Sequence, residues 1–131
     1  MASVYEYTGI NDSPTIEVTA GAKIEAAQCK AVKLSDGKAV LPTAGEAPIG
    51  ILLISSEDTI ESGTRATVQI KDIGLWKAGA AFAVGDLLAA DAEGLCQKAT
   101  SGQFIYARAL GAATAKGDMV SVQIINAGTM A

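Results

Sequence analysis

The chain has 131 residues, half of them apolar and 18% charged, which bounds it to one domain that buries roughly two thirds of its unfolded surface. Ten basic residues against fourteen acidic ones give a formal net charge of −4, so the cationic excess that neutralises a phosphate backbone is missing and nucleic acid is not an expected partner. Histidine is absent, which removes the commonest general base, the Ser-His and Cys-His nucleophile pairs and the commonest zinc ligand.

Residues 1–10 lack the basic start and apolar core of a signal peptide, and no apolar run approaches the ~20 residues a membrane span needs. The expectation is a soluble intracellular protein with no membrane partner. Residues 1–17 form an N-terminal arm outside the pattern that follows. Val4, Tyr5 and Tyr7 have strand character, and Asn11-Asp12-Ser13 before Pro14 reads as a polar turn. The segment fits either an edge strand of the domain or an extended arm that adds a strand to a partner sheet. Val4, Tyr5, Tyr7 and Ile10 are its candidate contact residues.

Residues 22–34 would be helical by propensity alone. Glycine and Asp-Gly signals at Gly21, Asp36-Gly37, Gly45, Gly63, Gly79, Gly85-Asp86, Glu93-Gly94, Gly102 and Gly117-Asp118 instead cut the chain into pieces too short for stable helices. Residues 49–54, 66–70, 87–90, 105–110 and 119–124 lie between these signals and read as β-strands.

The chain also repeats itself. Thr19-Ala20-Gly21-Ala22 followed by Ile24 matches Lys77-Ala78-Gly79-Ala80 followed by Phe82, at an offset of 58. Asp36-Gly37, Thr43-Ala44-Gly45 and Ile49-Gly50-Ile51-Leu52-Leu53 match Glu93-Gly94, Thr100-Ser101-Gly102 and Tyr106-Ala107-Arg108-Ala109-Leu110, at 57. Gly63-Thr64 before Val68-Gln69-Ile70 matches Gly117-Asp118 before Val122-Gln123-Ile124 at 54, the first copy carrying three extra residues in its loop 55–62. Ala27-Gln28 then falls opposite Gly85-Asp86, where a helix interior would be broken, so both copies are predicted to be β. The expectation is an all-β fold, a small barrel or sandwich of two repeated units at about 18–74 and 76–128, forming a single domain over 18–131. Each unit alone buries too little apolar surface to offset its chain entropy.

Catalytic patterns are missing: there is no P-loop, no Gly-x-Gly-x-x-Gly after a strand and no Gly-x-Ser-x-Gly. No enzyme activity, cofactor or metal is expected. Glu57, Asp58 and Glu61 read as a solvated acidic loop without an EF-hand ligand array. Cys29 and Cys96 read as small buried hydrophobes. Trp76, at the junction of the copies, suits either the core or a subunit interface. Arg108 fills the slot of Ile51 in an otherwise apolar strand; it suits an outward position or an interface pair with an acidic residue such as Asp72 or Glu93.

From Lys77 to Ile124 the segments Ala78-Gly79-Ala80-Ala81-Phe82-Ala83-Val84-Gly85-Asp86, Asp91-Ala92-Glu93-Gly94, Lys98-Ala99-Thr100, Ala107-Arg108-Ala109-Leu110 and Gly117-Asp118-Met119-Val120-Ser121-Val122-Gln123-Ile124 resemble the head decoration, or capsid cement, proteins of tailed bacteriophages. Ala47-Pro48-Ile49-Gly50-Ile51-Leu52 is similar to the apolar strand of lambda-like members. The resemblance implies a β-rich module without an active site, commonly a homotrimer, whose partner is the major capsid protein. It would be made in the host bacterial cytoplasm and bound on the outer surface of the expanded head around three-fold and quasi-three-fold positions. There it would clamp neighbouring capsomers against the pressure of packaged DNA, with its N-terminal arm on the lattice. The same Ala-Gly, Gly-Asp and Asp-x-Glu-Gly rhythm also resembles β-clip domains that bind sugars or assist assembly, which would need a polar, aromatic-lined cleft. A lipoyl-type carrier would use Lys38 after Asp36-Gly37, but that motif's flanking methionines are absent.

Overall fold

The computed structural model describes residues 14–131, and among these there is no helix. The first repeat holds β1 (Thr15–Thr19), β2 (Ile24–Glu25), β3 (Ala31–Ser35), β4 (Lys38–Val40), β5 (Gly50–Leu52), β6 (Thr59–Ile60) and β7 (Arg65–Gln69). The second holds β8 (Ile73–Lys77), β9 (Leu87–Ala90), β10 (Cys96–Lys98), β11 (Phe104–Ala109) and β12 (Met119–Thr129). Residues 15–17, which the sequence places at the end of the arm, pair with β7 from Thr15↔Gln69 to Glu17↔Thr67.

The repeat in the sequence is a repeat in topology. One five-stranded antiparallel sheet runs β1-β7-β5-β3-β4 and the other β8-β12-β11-β9-β10, the same order unit for unit. Each sheet curls until the residue after its first strand makes one parallel bridge to the opposite edge, Ala20 to Ala39 and Ala78 to Cys96. The ring is therefore joined by a bridge and not by a continuous ladder. Matching backbone bonds secure both joints: Ala20 N donates to Thr64 O as Ala78 N does to Asp118 O, and Gly21 N to Ala39 O as Gly79 N does to Cys96 O.

In one place the structural match differs from the sequence alignment. Lys30 N donates to Ala27 O as Asp86 N does to Ala83 O, and Leu52 N to Lys30 O as Ala109 N does to Asp86 O. Cys29-Lys30, and not Ala27-Gln28, is thus the equivalent of Gly85-Asp86. Cys29 holds φ +60° where the second copy has Gly85 at +89°, a left-handed turn that costs a residue with a Cβ roughly 1–2 kcal/mol. The turn still excludes a helix, so the all-β expectation stands.

Alternation along the strands sorts side chains to two faces. Val18, Val32, Leu52, Val68 and Ala66 point into the first core with Ile24 and Ile60. Trp76, Leu88, Ala107, Ala109, Val120 and Val122 fill the second with Phe82 and Tyr106. Ala31 and Ile51, although borne on the first sheet, pack in that second core. The two units therefore share apolar surface.

Candidate functional site

Val4, Tyr5, Tyr7 and Ile10 lie outside the described residues. The point at which they join the fold is defined. Pro14 O accepts a bond from Ile70 N at 3.1 Å, and the chain enters β1 at once. Ile16 packs against the first core and Val18 is buried in it, while Thr15 and Glu17 are exposed. Among the described residues β1 is the end strand of its sheet, with an antiparallel neighbour on one side.

Trp76 is completely buried within the single chain. Its ring meets Tyr106 edge-on, with centroids 5.5 Å apart and planes at 86°, and its Nε1 donates to Gly94 O at 2.9 Å. Of the two places the sequence allows, the indole occupies the core, and a ring so enclosed has no surface left for a second chain. Burial also raises the Tyr106 hydroxyl well above its ordinary pKa. Arg108 sits on β11 with an exposed side chain between buried Ala107 and Ala109. Glu93, one of its expected partners, is held instead by Lys116 at 3.0 Å; this bond and charge pull the Glu93 carboxyl down and push the Lys116 ammonium up.

Both cysteines are free thiols in the interior. Burial pushes Cys29 up to about 12 against the pull of the Lys77 charge, and lifts Cys96 well above its ordinary value, which leaves little of the reactive thiolate. Lys77 donates to Ala26 O at 3.0 Å, and burial, with the Lys30 charge, lowers its pKa. Among the described residues no three His, Cys, Asp or Glu side chains come together as metal ligands.

Two open grooves among the described residues bear on ligand binding. One, of about 300 Å³, lies beside the loop with the extra residues, between Ser55, Glu57, Glu61 and Arg65. The other, of about 390 Å³, lies between Lys23, Glu25, Lys30, Leu41 and Glu93 at the junction of the repeats. Neither is lined by an aromatic residue, so neither offers the stacking surface a sugar cleft uses. Sequence reasoning allowed an outward position for Arg108, which is exposed, but missed that Ile51, its equivalent in topology, is covered by the other repeat. The single clue was the change from apolar to charged.

Residues 10–124 match the model of a family described as phage cement protein. The crystal structure of the head fiber gp8.5 N base in bacteriophage phi29 is similar in fold, with a TM-score of 0.66 at 15% identity, covering 90% of this chain and 98% of that one. No curated protein sequence matches.

Proposed function

Because the chain belongs to the phage cement protein family, whose members are capsid-associated structural proteins, we propose that it is a non-enzymatic decoration protein that binds the outer surface of the expanded head. It clamps neighbouring capsomers against internal DNA pressure, and its partner is the major capsid protein. The attachment device is the segment before β1, with Val4, Tyr5, Tyr7 and Ile10 as anchors that add to a capsid sheet through main-chain hydrogen bonds. A homotrimer presents three such arms, so individually modest contacts give tight attachment through effective concentration.

The observation that carries this reading is the edge position of β1, entered directly from residues 1–13. An arm leaving an edge strand can reach a neighbour without disturbing the core. The test is to sediment the purified protein with expanded, undecorated heads and count copies per major capsid subunit. Deleting residues 1–13 is the control, because this leaves every β1–β7 pair in place. Saturable binding in a three-fold stoichiometry that the deletion abolishes is the expected result. Binding unaffected by the deletion would refute the arm, and no binding at all would refute the cement reading.

A further inference from the structure

The outer face of the second sheet carries apolar side chains that the described residues leave partly open. β11 is the middle strand in the order β10-β9-β11-β12-β8. Its Ala107 and Ala109 lie in the Trp76 core, as do Leu88 of β9 and Val122 and Ile124 of β12. Alternation turns Leu87, Arg108 and Gln123 to the opposite face, where pairing sets Arg108 between the other two. Arg108 and Gln123 are exposed there. Leu87 continues the row into a separate apolar cluster of buried Ala89, Ala99 and Ile105, against which it packs together with half-buried Ile125 and Met130.

The charge on this sheet has one sign. Its five strands contain no Asp or Glu, and their charged residues are Lys77, Lys98 and Arg108, although the chain as a whole stands at −4. Asp86, Asp91 and Asp118, in the turns beside the strands, accept bonds from Ala83 N, Glu93 N and Thr114 N of those same turns. Among the described residues no carboxylate pairs with Arg108. A guanidinium set in apolar surroundings is the group best shaped to take a carboxylate through two parallel hydrogen bonds. An arginine beside partly covered aliphatic side chains, with a polar margin, is also the composition of a protein-binding surface.

We propose that this outer face is a second docking site for the major capsid protein, and that it receives a segment bearing a carboxylate for Arg108 and an apolar side chain for the Leu87–Ile125–Met130 surface. The identity of the partner rests on the capsid reading above; the chemistry it must present follows from the charge of the sheet. The face also adjoins the root of the arm. Residues 70–72 bond both: Ile70 N donates to Pro14 O, and Ile124 N, next to Ile125, donates to Asp72 O. A capsid surface that takes the arm therefore lies beside this face, and the two contacts reinforce each other through effective concentration.

Titrating expanded, undecorated heads with full-length variants, and counting bound copies against free concentration, tests it. Arg108→Glu is expected to raise the half-saturating concentration by about tenfold or more, and Arg108→Lys, which keeps the charge, by much less. The deficit of Arg108→Glu should shrink as salt is raised, because screening weakens the charge contact in the wild type as well. Ile125→Ser should weaken binding through lost apolar contact, with a deficit that salt leaves unchanged. Circular dichroism checks the fold of each variant, and Arg108→Gln carries the test if the charge reversal disturbs it. Arg108 variants that bind as the wild type does would overturn the docking face and leave the capsid reading standing, whereas a wild type that does not bind heads would overturn both. Arg108 variants whose own oligomeric state differs from that of the wild type would also overturn it, since the face would then lie between copies of this chain.

Discussion

At the scale of single residues, stability concentrates where the repeats meet. Trp76 combines a fully enclosed ring, an edge-on contact to Tyr106 and a bond to Gly94 O. Trp76→Ala is therefore expected to lose about 3–5 kcal/mol in urea unfolding. Trp76→Phe should lose less, because Gly94 O keeps its bond from Ala31 N. Glu46 shows a different kind of dependence. Its Oε1 accepts bonds from Lys33 Nζ and Thr43 N, both at 2.8 Å, and the Lys33 bond first, then Thr43, lowers its pKa from 4.5 to about 2. A depressed folded pKa contributes stability that is present above the ordinary value and is lost as pH falls through the folded one. The contribution should fade between about pH 4.5 and 2, and it is modest because the pair is exposed. In the second repeat Gln103 Oε1 accepts from Thr100 N in the same loop position without a charge. Glu46→Gln should keep that backbone bond and shrink the difference between urea midpoints measured at neutral and at acid pH; an unchanged difference would refute the assignment.

At the scale of elements, the hairpin tips show what one topology does in two settings. Gly37 and Gly94 both adopt left-handed backbone, with φ of +74° and +77°. At Gly37 an alanine costs only the conformational term, about 1–2 kcal/mol. At Gly94 the same Cβ would also strike Ala31 O at 2.6 Å and Leu41 Cδ2 at 3.1 Å, adding overpacking of about 1–3 kcal/mol. Gly94→Ala should therefore unfold at clearly lower urea than Gly37→Ala at matched protein concentration, and equal midpoints would argue against the docked tip. The sequence made both glycines legible as turns, and the 57-residue offset between them is correct. It did not make legible which of them is covered, because coverage depends on how one repeat is turned against the other. The two-residue misalignment at Cys29 has a related cause: the first copy spends two more residues between Ile24 and Ala31 than the second does between Phe82 and Leu87. A left-handed cysteine also carries no mark in the sequence, whereas a glycine does.

At the scale of the whole molecule, the question is whether two copies of one topology make two foldable units. Punctuation and repetition were enough to read all-β structure and internal duplication from the residues alone, since both are local signals. The shared core was legible only as a requirement. Its members turn out to be split unequally: the second cluster takes Ala31 and Ile51 from the first repeat, and backbone bonds cross the junction from Lys77 N to Cys29 O, Gly45 N to Ala90 O and Phe104 N to Gly45 O. A fragment ending at Asp72 would expose Ile51 and leave the Ala31 amide without Gly94 O. A fragment beginning at Ile73 would open one side of the Trp76 and Tyr106 core, and Tyr106 Oη would lose its 3.4 Å approach to Ile49 O. Neither half, of about 60 residues, has the surplus burial to tolerate such losses. Residues 14–72 and 73–131 expressed separately should therefore lack cooperative thermal unfolding, and mixing them should restore a β-sheet circular dichroism spectrum with one transition. If either half melted cooperatively on its own, the junction would be an ordinary contact between two domains.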